Sequence, residues 1–224
     1  MGNFEKDNYI VIKKFISEEL AFFLFSYLFM KRNVYGTLIK EKIIPPFVNY
    51  FGTYSDDQVP NTYSHYSDIA MDNLLFLTKE KVEKIMNVKL IETYSYCRIY
   101  KKGDVLRRHK DRPSCQLSAT VNLGGDSWPI CLEPSGEIGK KGVQVDLKPG
   151  DALFYKGCKV EHWREPFEGE HCGQVFLHYN SDNNIENLYD NRPHLGLPAE
   201  CKRPTNNRNW SNLIYAVECS AYIK

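Results

Sequence analysis

Long apolar runs are missing from this 224-residue chain: the longest, Leu20 to Met30, spans 11 residues and has Ser26 inside it. A bilayer crossing needs about 20 such residues, so the run predicts a buried helix and no membrane partner is expected. Charge of one sign is also missing. With 29 basic against 28 acidic residues the net charge is +1, which removes the positive field that draws proteins to nucleic acid. Cysteine pairs at metal spacing are absent too. Seven cysteines stand at 97, 115, 131, 158, 172, 201 and 219 with no C-x-x-C among them, excluding a zinc ribbon and a thioredoxin-type couple. No secretory leader is read at the start, and Lys6 stands where a myristoylation signal needs Ser or Thr. Reduced thiols in the cytoplasm are therefore the expectation. Disorder is excluded by a composition that is 42% hydrophobic and 13% aromatic.

What is present changes texture near residue 88. Tyr9-Ile10-Val11-Ile12-Lys13-Lys14-Phe15 is β-branched and aromatic and predicts a first strand. Ser17 ahead of Glu18-Glu19 predicts an N-cap and a helix running to about Arg32, apolar on most sides and so packed between other elements. A second helix is predicted over 67–86, its stripe made by Leu74, Leu75, Leu77, Val82, Ile85 and Met86. The tyrosine-rich stretch from Pro45 to Tyr66, with Asp56-Asp57, reads as a loop: an ordinary surface connection, or a lid over substrate.

Short β-like runs follow at 90–100, 116–123, 128–132, 143–147, 152–155, 160–163 and 174–179, broken by turn residues such as Gly124-Gly125-Asp126 and Pro149-Gly150-Asp151. Seven short strands with no helical pattern between them predict an antiparallel sandwich or barrel. The tail beyond Asn180 is polar as far as Trp210, where the apolar run Leu213 to Val217 is expected to dock back. One domain is the reading: supporting strand and helices over 1–88, β core over 89–180, C-terminal extension over 181–224.

The chemistry concentrates in Arg108-His109-Lys110-Asp111-Arg112. Residues two apart on an extended segment share a side, so His109 and Asp111 can offer one metal ion an imidazole nitrogen and a carboxylate oxygen. His162, in Val160-Glu161-His162-Trp163, follows the Gly150-Asp151 turn and supplies a second imidazole. Two histidines and one carboxylate on one face leave three positions of an octahedral ion open, the pattern of non-haem Fe(II) oxygenases.

Tyr100, Gly103, Leu106, His109-Lys110-Asp111, Gly150-Asp151 and His162 stand in the order found in the Fe(II)/2-oxoglutarate-dependent dioxygenases, and the chain resembles their prolyl-hydroxylase-like branch over about residues 94–180. The resemblance implies a double-stranded β-helix, a jelly roll mainly of β structure, buttressed by the N-terminal helices. It implies Fe(II) held by His109, Asp111 and His162, with 2-oxoglutarate and dioxygen as co-substrates, and hydroxylation of a C–H bond. The branch favours a peptidyl, prolyl-type side chain as substrate; a small molecule is the alternative.

One position departs from the branch pattern. Where the oxygen-sensing prolyl hydroxylases carry the arginine that holds the far carboxylate of 2-oxoglutarate, nine residues past the distal histidine, this chain has His171. Arginine suits such a carboxylate because its planar fork donates two parallel hydrogen bonds. Strand parity adds Arg98, two residues before Tyr100, and Arg164, two after His162. The co-substrate residues are therefore expected among Arg98, Tyr100, Arg164 and His171. The departure keeps two other readings open: a metal-dependent enzyme that does not use 2-oxoglutarate, and a non-enzymatic cupin-like binding protein with a partial metal site. Parity sets His178 opposite to His171, which predicts that His178 points outward. His65 and His194 are expected in ordinary surface or hydrogen-bonding roles. Arg112 is expected in a salt bridge or at the pocket rim, and Trp128 and Trp163 in the core or pocket wall. Cys115 and Cys172 are expected to be inert thiols.

Overall fold

A computed structural model describes residues 2–203. After a single helical turn, α1 (Phe4–Asp7), comes β1 (Tyr9–Ile12). It stops earlier than the sequence suggests, because Lys14 turns the chain in the left-handed region at φ 51°. Helix α2 (Glu18–Lys40) starts where expected, with the Ser17 hydroxyl accepting from the Leu20 amide at 3.2 Å. It runs past Arg32 because tertiary packing takes over from local propensity. Tyr35 is buried and its ring packs against Tyr54 and Tyr63. Helix α3 (Ile69–Met86) is capped by the Asp68 carboxylate on the amides of Ala70 and Met71 and closed by Asn87 at φ 52°.

The remaining strands are β2 (Tyr63–Tyr66), β3 (Leu90–Lys101), β4 (Leu106–His109), β5 (Leu117–Gly125), β6 (Ile130–Glu133), β7 (Val143–Val145), β8 (Ala152–Tyr155), β9 (Glu161–Arg164) and β10 (His171–Ser181). Two antiparallel sheets result, a six-stranded one in the order β1-β8-β5-β10-β3-β2 and a four-stranded one in the order β4-β9-β6-β7. Mainly antiparallel sheets in this arrangement form a jelly roll. A 3₁₀ segment, Asp182–Asn191, follows β10. The expected loop over 45–66 is corrected at its end, since residues 63–66 pair with β3 as an edge strand. The C-terminal run Leu213 to Val217 lies outside the described residues.

Strand alternation divides the large sheet into two faces. Cys97, Ile99, Ala119, Val121, Val175 and Leu177 face outward onto α2 and α3, meeting Leu24, Leu28, Leu75 and Val82 in one apolar core. The other face looks inward at the four-stranded sheet. There Tyr100, Leu106, Trp128, Phe167 and Cys172 pack together, as do Ile130, Leu132, Leu153, Tyr155 and Val160. Among the described residues no helix is long and apolar enough to cross a membrane.

Candidate metal centre

Within the four-stranded sheet β4 and β9 are neighbours, and His109 lies directly opposite His162. Leu106 lies opposite Arg164, so the four residues 106–109 on β4 match the three residues 162–164 on β9. This irregularity lets Leu106 and His109 share the inward face although they stand three positions apart. The imidazole rings stand 4.2 Å apart. Asp111 follows β4 and is held by its own amide, which donates to the Gly157 carbonyl at 3.0 Å. One carboxylate oxygen, Oδ1, then lies 3.7 Å from His109 Nε2 and 3.4 Å from His162 Nε2. The three ligand atoms all fall within 4.8 Å of one another.

The surrounding hydrogen bonds fix which atoms face the gap. His109 Nδ1 lies 2.8 Å from the Arg107 carbonyl and His162 Nδ1 lies 3.1 Å from the Val160 carbonyl. A carbonyl only accepts, so each Nδ1 carries the proton and each Nε2 presents a lone pair. Burial, reinforced by the neighbouring His162, lowers the pKa of His109 and favours this neutral form. Asp111 behaves oppositely. Burial alone would raise its pKa, but His162 and the hydroxyl of Ser118 outweigh that and hold it well below the usual carboxylate range. Ser118 Oγ donates to Asp111 Oδ2 at 2.5 Å and stands 3.0 Å from His178 Nδ1. Two imidazoles and one carboxylate with ordered outer partners are a donor set that fits Fe(II). There is no spare room beside it: a methyl group on Gly157 would fall 2.4 Å from the Cys115 carbonyl and 2.5 Å from Asp111 Oδ2.

These donors line a cavity of about 410 Å³ whose walls are Tyr66, Tyr94, Tyr96, Tyr100, Tyr155 and Phe176. Tyr155 reaches the candidate ligands, its hydroxyl 3.3 Å from His162 Nε2. Residues 53–64 form a strap along one side. Thr53 and Ser64 exchange both backbone hydrogen bonds, and Val59 is buried with Tyr100 and Leu106. The strap brings Asp56 against Arg98 and Tyr96, and Gln58 against His109, Nε2 to Nε2 at 3.1 Å.

The four residues expected to hold a co-substrate have separate placements. Tyr100 is on the cavity wall. Arg98 faces inward but is paired with Asp56, and its Nη1 also donates to Gln58 at 3.2 Å. Arg164 faces inward on the same side of β9 as His162 and is fully buried. His171 is not brought to the cavity. It sits on the outward face of β10, its ring 5.2 Å from Phe29 of α2. The expectation for His178 is corrected in the same stroke: it is His178 that lines the cavity. Parity separates the two histidines as argued, but the sequence alone does not say which parity of β10 faces in. That is settled by Val175, Leu177 and Tyr179, which pack on the helices.

Other placements follow the same logic. Arg112 is both rim and salt bridge, lining the cavity while its Nη2 bonds Asp190 at 2.8 Å. His65 is buried beside Asp68, with Nδ1 3.4 Å away, while His194 is at the surface. Trp128 is in the interior and Trp163 on the outer face of the small sheet, under the Arg108 guanidinium at 3.4 Å. Cys115 lines the cavity, and burial pushes its thiol up to about 12; burial likewise raises the thiol of Cys172. Sequence reasoning missed Ser118, Tyr155, Asp56 and Gln58. The alternation Tyr94, Tyr96, Arg98, Tyr100 was the available signal for the aromatic wall.

No family model matches the chain, and no curated protein matches it by sequence. Solved structures do match. A prolyl-4-hydroxylase from Pseudomonas putida is 15% identical, with a TM-score of 0.58 over 80% of this chain and 95% of that one. An oxidoreductase of the 2OG-Fe(II) oxygenase family from Burkholderia pseudomallei is 12% identical, with a TM-score of 0.56 over 79% and 87%. HygX from Streptomyces hygroscopicus, solved with nickel and 2-oxoglutarate bound, is 12% identical, with a TM-score of 0.53 over 80% and 85%. The fold is that of the 2OG-Fe(II) oxygenases, prolyl hydroxylases among them.

Proposed function

We propose that this chain, which has the 2OG-Fe(II) oxygenase fold, is a 2-oxoglutarate-dependent non-haem iron dioxygenase. The observation that carries the reading is the convergence of His109 Nε2, Asp111 Oδ1 and His162 Nε2 at the wall of an aromatic cavity inside a jelly roll. His109, Asp111 and His162 would hold Fe(II), which together with 2-oxoglutarate and dioxygen supplies the oxidising power to hydroxylate a C–H bond. The protein's own part is positional. The two Nδ1–H groups pinned on backbone carbonyls fix both rings, and Ser118 fixes the carboxylate rotation. Tyr94, Tyr96, Tyr100, Tyr155 and Phe176 exclude water around the gap.

A peptidyl substrate of prolyl type is the favoured class. A tyrosine-lined cavity open at the Arg112 edge suits an extended, proline-bearing segment, whose rigid backbone stacks on aromatic rings at little entropic cost. A free small molecule is the alternative class. The six cysteines of the described residues are all free thiols, which supports a reducing, cytoplasmic setting.

Anaerobic titration of the Fe(II)-loaded protein with 2-oxoglutarate tests the reading. The expected outcome is a visible charge-transfer band in the wild type and none in His109→Ala. Iron binding without a band would overturn the 2-oxoglutarate reading in favour of another metal-dependent chemistry. Failure to bind iron at all would leave only a metal-free binding role.

A further inference from the structure

Among the described residues Arg164 is the one buried guanidinium that has no acid. Among the described residues, Arg98 pairs with Asp56, Arg108 with Glu161, Arg112 with Asp190 and Arg192 with Asp72, while Arg164 forms no ion pair. It is 1% exposed. Its Nη1 donates to the Trp128 carbonyl, and the guanidinium lies over the Trp128 ring at 5.0 Å. Nε and Nη2 are buried with no acceptor at all. A buried cation without a counter-charge, carrying two unmet donors, is strongly unfavourable. Such a group is retained where something outside the chain completes it.

The two unmet donors are adjacent. Nε–H and Nη2–H form one straight edge of the guanidinium, the edge that matches both oxygens of a single carboxylate. Their place is equally specific. Arg164 lies two residues along β9 from His162 and opposite Leu106, on the interior surface that bears His109 and His162. Two residues of strand are about 6.6 Å, on the order of the reach of a five-carbon diacid whose first carboxylate is at the metal. The competing cations are accounted for: Arg98 is paired with Asp56 and Arg112 with Asp190, Lys110 donates to the Gly136 carbonyl, and His171 faces α2.

We infer that the Nε/Nη2 edge of Arg164 receives the carboxylate remote from the metal in a bound 2-oxo dicarboxylic acid. The anchor then sits on the strand of the distal histidine, instead of on the following strand where His171 stands. This inference rests on the reading of the site as a 2-oxoglutarate enzyme. It gives Arg164 a binding role without a part in the chemistry.

Binding to the Zn(II)-loaded protein, followed by calorimetry, tests it without turnover. Two acids are compared: 2-oxoglutarate and 2-oxobutyrate, which has the same chelating end and no remote carboxylate. The wild type is expected to prefer 2-oxoglutarate by about 100-fold, the worth of two hydrogen bonds between charged groups. In Arg164→Met that preference should collapse to a few-fold, entirely through weaker 2-oxoglutarate binding, while Zn(II) affinity and the 2-oxobutyrate constant hold. Arg164→Lys, which keeps the charge without the fork, should fall between and carries the test if the methionine variant does not fold. An unchanged preference in a folded Arg164 variant, or its collapse in Arg98→Met instead, overturns the assignment while leaving the functional reading intact. If the Zn(II)-loaded wild type takes up neither acid, the functional reading falls and the assignment falls with it.

Discussion

At the scale of single residues, the candidate metal centre depends on groups that would never touch the ion. Ser118 Oγ bonds Asp111 Oδ2, leaving Oδ1 turned toward the two histidines. Removing such an outer partner typically lowers metal affinity 10- to 100-fold. Ser118→Ala is expected to lose that much Zn(II) affinity, measured by competition with a chromophoric chelator, with little change in thermal stability. An affinity within twofold of wild type would show that Asp111 orients itself. That His109 and Asp111 come together was legible in the sequence, because His-x-Asp on an extended segment places both groups on one side. Ser118 and His178 were not. Each is polar in an apolar run, and only the packing of their strands against α2 and α3 decides that such positions face the cavity.

Elements supply the next layer. The strap over residues 53–64 was read as part of the loop from Pro45 to Tyr66, since its proline and acidic pair carry no periodicity. Its order comes from outside itself, from the buried Val59 and from Arg98 holding Asp56. Through it Gln58 donates to His109 Nε2, the atom a metal would use. That bond competes with loading, and a hydrogen bond of this kind is worth about 0.5–1.5 kcal/mol. Gln58→Ala is therefore expected to bind Zn(II) two- to tenfold tighter in the same chelator competition. Weaker binding would mean that Gln58 instead steadies the ligand.

The 3₁₀ segment is pinned in a comparable way by Asp190, which bonds Arg112, Lys202 and Tyr66. Burial would raise the pKa of Asp190, but these partners win and lower it to about 2. A depressed carboxylate stabilises the fold above its unfolded pKa, and that stability is lost as pH falls through the folded one. With Arg112 half exposed and screened, the contribution is about 1–2 kcal/mol. Asp190→Asn should therefore be less stable than wild type by this amount in urea melts at pH 6, and the gap should close as pH falls from about 4 toward 2. A gap independent of pH would assign the loss to packing.

Across the whole molecule, the division of labour between the sheets was only half visible beforehand. A first strand, seven core strands and two helices follow from alternation and capping, and six of the seven core strands recur within two residues of their expected ends. Pairing order does not follow from local pattern, because β10 lies between β5 and β3, which are far from it in sequence. Helix α2 was cut short for the same reason: the burial of Tyr35 is a property of the assembled protein and not of the segment around Gly36.

Among the described residues no helix packs on the outer face of the small sheet, only side chains such as Arg108 over Trp163, yet it contributes both histidines of the candidate metal centre. The large sheet has the helical core behind it. Local opening should thus be unequal: backbone amides of β4 and β9 are expected to exchange with deuterium well before those of β5 and β10, and metal should slow the first pair by far the more. Uniform exchange across both sheets would contradict this. On the proposed reading, a metal clasp placed on the weaker half would make the loading state of the protein also its durability. In a cell, a chain that has not acquired its metal would present an open edge to proteases and be cleared, while a loaded chain would persist, so that abundance itself would follow metal supply.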